Sequence, residues 1–194
     1  MNSDAQTNES IRFDLDDRST ILIEGTSSVS RFTCASNNVQ GYAVLKNTRA
    51  SQSGPQVEAE IAAPVKLFSC NLASMNLDFW TALKSDQYPL IEYWVDDIQV
   101  DSTALGTDQR YSVFAVGRLA IAGVKKTVRI SLSGEQIGRD IYRLRGSQEM
   151  KMTDFQITPP SMLFGLIKAH DNIVVRFNLV TTTKPLIVNV ARKR

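Results

Sequence analysis

Gly117-Arg118-Leu119-Ala120-Ile121-Ala122-Gly123-Val124-Lys125-Lys126 and, after one more alternating run, Met152-Thr153-Asp154-Phe155-Gln156-Ile157-Thr158-Pro159-Pro160 decide the fold of this chain. The first segment is two alternating runs meeting at a tight Gly-containing turn; the second ends in a short turn closed by Pro-Pro. The run entering the first turn belongs to one long face of Tyr111, Val113, Ala115, Gly117, Leu119 and Ile121. The run leaving it sets Val128, Ile130 and Leu132 against Thr127, Arg129, Ser131 and Ser133. Successive side chains of a strand point to opposite faces, so strict alternation marks strands with one buried and one wet face.

The same period recurs along the chain. Ile21 and Ile23 alternate with Leu22 and Glu24; Val57, Ala59, Ile61, Ala63 and Val65 share a face opposite Glu58 and Glu60. Ile91, Tyr93 and Val95 alternate with Glu92, Trp94 and Asp96. Tyr142, Leu144, Gly146, Met150 and Met152 share a face broken by Gln148, and Ile173, Val175, Phe177 and Leu179 oppose Arg176 and Asn178. Roughly eight to ten such runs, separated by Gly-, Pro- and Asn-rich turn signals, predict a meander that closes on itself. The expected fold is all-β with one or two short helices: a single antiparallel, lipocalin-like β-barrel of about eight strands. The domain expectation is a polar extension over 1–18, the barrel over 19–182 and a tail over 183–194.

One segment departs from the pattern. Ser74 to Lys84 reads as a helix, with Ser74 as its cap, Asp78 near its start and Lys84 near its end, as the helix dipole prefers. Met75, Phe79, Trp80, Ala82 and Leu83 share an arc that must be buried on the sheet or across a barrel end, as a plug or as a movable cap.

Composition narrows the function. The chain has 194 residues, 43% hydrophobic, and 22 basic against 20 acidic side chains, a net charge of +2. That balance gives no basis for nucleic-acid binding by charge. The basic end Arg192-Lys193-Arg194 reads as a solvated tail. No apolar run approaches the roughly 20 residues that span a bilayer, so no stable membrane insertion is expected. The polar start, Met1 to Asn8, lacks a signal core: either the protein is cytoplasmic or a signal has been removed. Cys34 and Cys70 are the only cysteines. They read as two buried thiols or, preferably, as one disulfide, which favours a periplasmic or secreted protein.

Catalytic arrangements are missing from the sequence. His170 is the only histidine, beside Lys168 and Asp171 in what reads as a turn, and any Ser-His-Asp or Cys-His site would have to use it. No serine elbow, phosphate loop or zinc signature appears. Asp96 and Asp97 are adjacent and so point to opposite faces of a strand. Asp14, Asp16 and Asp17 lack the glycine and glutamate of a calcium loop and read as solvated. No enzyme and no metal site is expected.

Taken in order, these segments resemble the YceI-like family over about residues 19 to 182. Ser19 to Gly25 followed by Ser27 to Phe32 resembles its opening strand pair, and Leu83 to Tyr93 its helix end running through Tyr-Pro into a strand. Gly117 to Lys126, Met152 to Pro160 and Asp171 to Leu179 resemble its later turn, its Thr-Asp-Phe segment and its closing strand. Thr26-Ser27 stands where many members carry His-Ser. The resemblance implies a barrel holding a polyisoprenoid or other long-chain lipid, no other cofactor, no catalysis, and leaves a homodimer open.

The residues expected to line that lumen are Ile61, Tyr93, Tyr111, Val113, Ala115, Leu119, Ile130, Leu144, Met152, Phe155, Val175 and Phe177, with Met75, Phe79 and Trp80 from the helix. Small inward residues such as Ala59, Ala63 and Ala115 would leave room for a chain. Lys84, Lys125, Lys126 and Lys168 are candidate cations for a head group at the mouth. The alternative function is a solidly packed barrel whose surface engages a protein partner.

Overall fold

A computed structural model of the chain describes residues 10–46, 56–101, 110–162 and 166–186. The alternating runs become β1 (Ser10–Leu15), β2 (Thr20–Ser27), β3 (Arg31–Ser36), β4 (Gln40–Lys46), β5 (Gln56–Pro64), β6 (Leu90–Asp101), β7 (Arg110–Ile121), β8 (Val124–Gly138), β9 (Ile141–Lys151), β10 (Ser161–Met162) and β11 (Ile167–Leu186). All pairings are antiparallel. The path β1-β4-β5-β6-β7-β8-β9-β11 returns to β1, closing an eight-stranded barrel. Helix α1 (Ala73–Ala82) is inserted between β5 and β6, and short 3-10 turns cover Val65–Leu67 and Met152–Phe155.

β11 is the strand that makes closure possible. One edge runs along β9 from Asn172–Lys151 to Thr182–Ile141. The other edge pairs first with β2, to Asn178–Thr20, and then with β1, from Thr181–Leu15 to Leu186–Ser10. β1 and β2 thus act as one interrupted strand, and Val180 stands opposite the interruption. Its backbone is not left bare: the Val180 N–H donates to Ser19 Oγ at 3.0 Å, and its carbonyl accepts from Ser19 Oγ and from the Asp16 N–H at 2.8 Å. Ser19 is fully buried there, because buried backbone groups demand a partner.

The barrel reaches beyond the expected boundaries. β1 lies inside the stretch read as a polar extension, and β11 runs past residue 182 to Leu186. The charges that made the start look solvated are paired on the outer face: Asp14 with Arg12 (2.7 Å) and Lys184 (3.2 Å), Asp16 with Arg18 (2.6 Å). Arg192-Lys193-Arg194 falls outside the described residues.

β2 and β3 form a hairpin that leaves the main ring, and the far edge of β3 would be open. Ala35 closes part of it by exchanging two backbone hydrogen bonds with Ser69, at 2.9 and 2.8 Å. Beside that bridge Cys34 and Cys70 form a disulfide, as favoured from the sequence. The β7–β8 turn puts Ala122 and Gly123 at φ 50° and 84°, the two positive values that a tight hairpin turn of matching twist requires.

Helix α1 begins one residue earlier than expected and is not capped by Ser74. Leu72 occupies the cap position without a side-chain bond. Instead Asn76 Oδ1 accepts the Cys70 N–H at 2.7 Å, tying the first turn to the disulfide segment.

Replacing both cysteines (Cys34→Ala with Cys70→Ala) is expected to lower stability by about 4 kcal/mol on the loop-entropy model, because the bond spans 36 residues. Urea unfolding checks this: reductant should weaken the wild type by the same amount and leave the double variant unchanged.

Candidate functional site: an apolar lumen

The inward faces of the strands do not fill the barrel. They enclose a cavity of about 440 Å³, within the roughly 300–1,000 Å³ of small-molecule sites. The wall is almost wholly apolar. Of the expected residues, Ile61, Tyr93, Val113, Ala115, Leu119, Ile130, Leu144, Val175 and Phe177 lie on it from the strands. Met75 and Phe79 reach it from α1, and Met152 and Phe155 from the 3-10 turn after β9.

Two expected residues do not reach the cavity. The Tyr111 ring lies flat over Gly134, where a Cβ would stand 2.2 Å from it, so this tyrosine thickens the wall. Trp80 packs against the core beside the lumen, with its Nε1 buried and without a hydrogen-bond partner. Residues that the sequence reading passed over complete the wall, among them Leu15, Phe32, Phe68, Ile157 and Thr181. Both cysteines of the disulfide face the cavity as well.

Exposure shows where the cavity opens. Val29 (67% exposed) in the β2–β3 turn and Leu72 (59% exposed) before α1 both line it, as do exposed Ser30 and Lys151. These residues sit at the barrel end where β2 and β9 finish and α1 crosses. Helix α1 therefore covers part of a mouth, with Phe79 against Phe68 at a ring separation of 5.4 Å.

Charge at the mouth is sparse. Lys151 and Asp78 are the only charged residues on the described cavity wall. The lysines put forward from the sequence lie elsewhere: Lys125 sits over the Trp94 ring at 4.9 Å, Lys126 pairs with Asp154 at 3.3 Å, and Lys84 and Lys168 are exposed and off the wall. Asp171 accepts from both the N–H and the hydroxyl of Thr153, at 2.9 and 2.7 Å, which holds its carboxyl below the ordinary range and fixes the 3-10 turn to β11.

The polar atom of Tyr93 is turned into the wall. The residue is 6% exposed, and its hydroxyl donates to the carbonyls of Ala115 (3.1 Å) and Val128 (3.3 Å), leaving the ring to the lumen. Burial, with a smaller contribution from Asp96, pushes its pKa up to about 12. His170 lies on the outside and shares a 2.8 Å hydrogen bond with Thr26. Asp96 is the extra residue of a bulge in β6 and pairs with Arg118 at 3.1 Å; Asp97 beside it is exposed. Among the described residues no cluster of His, Cys, Asp or Glu could hold a metal, and no helix is long and apolar enough to cross a membrane.

No family model matches the chain, and neither does any curated protein. Solved structures do. BcnA of Burkholderia cenocepacia matches with a TM-score of 0.66 at 18% identity, over 87% of this chain and 100% of that one. A polyisoprenoid binding domain from Saccharophagus degradans, implicated in plant cell wall breakdown, matches with a TM-score of 0.63 at 13% identity, over 89% and 98%. A mutant YCEI protein of Campylobacter jejuni matches with a TM-score of 0.51 at 14% identity, over 74% and 81%. The chain has the fold of the YceI-like barrels, as its resemblance in sequence implied.

The raised pKa of Tyr93 has a definite sign. The phenol is held neutral in the folded state, so its contribution is complete below the unfolded value near 10 and is lost as pH rises toward about 12. Burial raises Tyr111 in the same direction. Tyr93→Phe should cost about 1 kcal/mol at neutral pH and flatten the alkaline decline of the urea midpoint. An unchanged decline in the variant would remove Tyr93 as its source.

Proposed function

We propose that this chain, folded as a YceI-like barrel, is a non-catalytic carrier or store of a long apolar lipid, with a polyisoprenoid as the best candidate. The single observation that carries the reading is the continuous apolar cavity along the barrel, open beside α1. A ligand lying in it gains roughly 0.8 kcal/mol per buried methylene and needs no charged anchor. The name of the Saccharophagus degradans domain supports the choice of an isoprenoid. The disulfide supports an oxidising location, periplasmic or secreted. The alternative, a packed barrel acting only through its surface, called for a lumen without a continuous void, and the open lumen argues against it.

Native mass spectrometry of the purified protein, followed by organic extraction, should find a stoichiometric long-chain lipid. A protein that emerges empty, and stays empty when offered polyisoprenoids, would overturn the proposal. Ala115 is 5% exposed on the wall midway along β7. Ala115→Phe should weaken lipid binding about tenfold or more, the worth of roughly two methylenes. Its stability should fall less than the roughly 1–3 kcal/mol of overpacking a filled core.

A further inference from the structure

One polar side chain inside the lumen has nothing to bind. In β11 the residues Val175, Phe177, Leu179 and Thr181 alternate onto the cavity wall. Thr181 is 8% exposed, and among the described residues its hydroxyl makes no side-chain hydrogen bond. The other polar groups on the wall are occupied or lie at the mouth. Tyr93 is bound to two carbonyls, Tyr42 donates to Glu58 at 3.2 Å, and Ser27 donates to the Ser30 carbonyl at 3.0 Å. Asp78 and Lys151 stand by the opening.

Thr181 sits far from that opening. It pairs with Leu15 and Tyr142, beyond the interruption at Val180, and lies eight residues along β11 from Ile173. At about 3.3 Å per residue that is roughly 25 Å of strand. The Thr181 oxygen is not among the sealed polar atoms without a partner, which among the described residues are Trp80 Nε1 and Arg143 Nε, so it is open to the lumen and free to bond a molecule lying there; valine would fill the same shape without offering that bond. Beside Thr181 on the wall Leu15, Leu144 and Leu179 offer only apolar side chains, and Tyr142, opposite it on β9, does not line the cavity.

We infer that the Thr181 hydroxyl is the hydrogen-bonding anchor of the lumen, and that it selects an apolar chain carrying an uncharged oxygen acceptor on its buried part. The inference rests on the carrier reading and sharpens it. A carbonyl, ester or ether oxygen suits the site. A charged group does not, since among the described residues no cation lies near Thr181 on the wall.

The test uses the full chain and two probes of equal chain length, methyl palmitate and octadecane, delivered from cyclodextrin in competition with Nile red. Thr181→Val should lose about fivefold in affinity for methyl palmitate while its affinity for octadecane is unchanged or higher; Thr181→Ser should keep the wild-type preference. Without ligand, Thr181→Val should be at least as stable as the wild type. Equal loss for both probes, no loss for either, or a valine variant less stable than the wild type would each overturn the anchor while leaving the carrier intact. Failure of both probes to displace Nile red from the wild type would overturn the carrier reading together with the anchor.

Discussion

The structure depends on closing a ring of backbone hydrogen bonds. An open sheet of this size would expose two rows of unpaired N–H and C=O groups, and closure removes them. Here the ring closes through β11, which serves β9 on one edge and both β1 and β2 on the other. Two local devices make that possible. Ser19 supplies from its side chain the hydrogen bonds that the gap between β1 and β2 would otherwise leave missing at Val180. The Ala35–Ser69 bridge and the neighbouring disulfide hold the hairpin that the ring leaves outside.

Once the ring has closed, the contents of the barrel follow from the choice of inward residues. Alanines at 59, 63 and 115 stand among Ile61, Val113 and Leu119 on the wall, and the space they leave is not taken up by neighbours. Tyr93 contributes a ring but not a free hydroxyl, so its polar atom does not interrupt the apolar surface. Helix α1 presents Met75 and Phe79 to the opening and is tied through Asn76 to the segment holding Cys70. The cover of the lumen and the staple of its wall are therefore one mechanical unit.

Much of this was legible in the sequence, because period-two alternation is a backbone property that needs no knowledge of partners. The β7–β8 hairpin, the inward faces of β6, β9 and β11, and the helix as a cover can all be read from it. What was not legible depended on pairing across distant strands. Ile11, Phe13 and Leu15 alternate plainly, but Arg12 and Asp14 made the stretch look solvated until Lys184 of β11 stood beside them. Tyr111 shares the inward face of β7, yet whether it meets the void is settled by Gly134 on β8. The mouth lysine at 151 carries no local mark, since only the course of β9 places it there. Thr181 reads as an ordinary strand residue, and its lack of a partner is visible only once the wall around it is assembled.

The pairing of Ser10 with Leu186 joins residues almost a whole chain apart. Contacts of such long range are slow to form, because the entropy of closing the intervening loop is lost before any contact repays it. The strand that completes the barrel is also the last of the described strands in chain order. Until it docks, β9 and β1 each present a bare edge, open to pairing with another chain. The architecture that shelters a lipid-sized lumen thus carries a kinetic vulnerability: during folding, aggregation competes with the docking of one long strand.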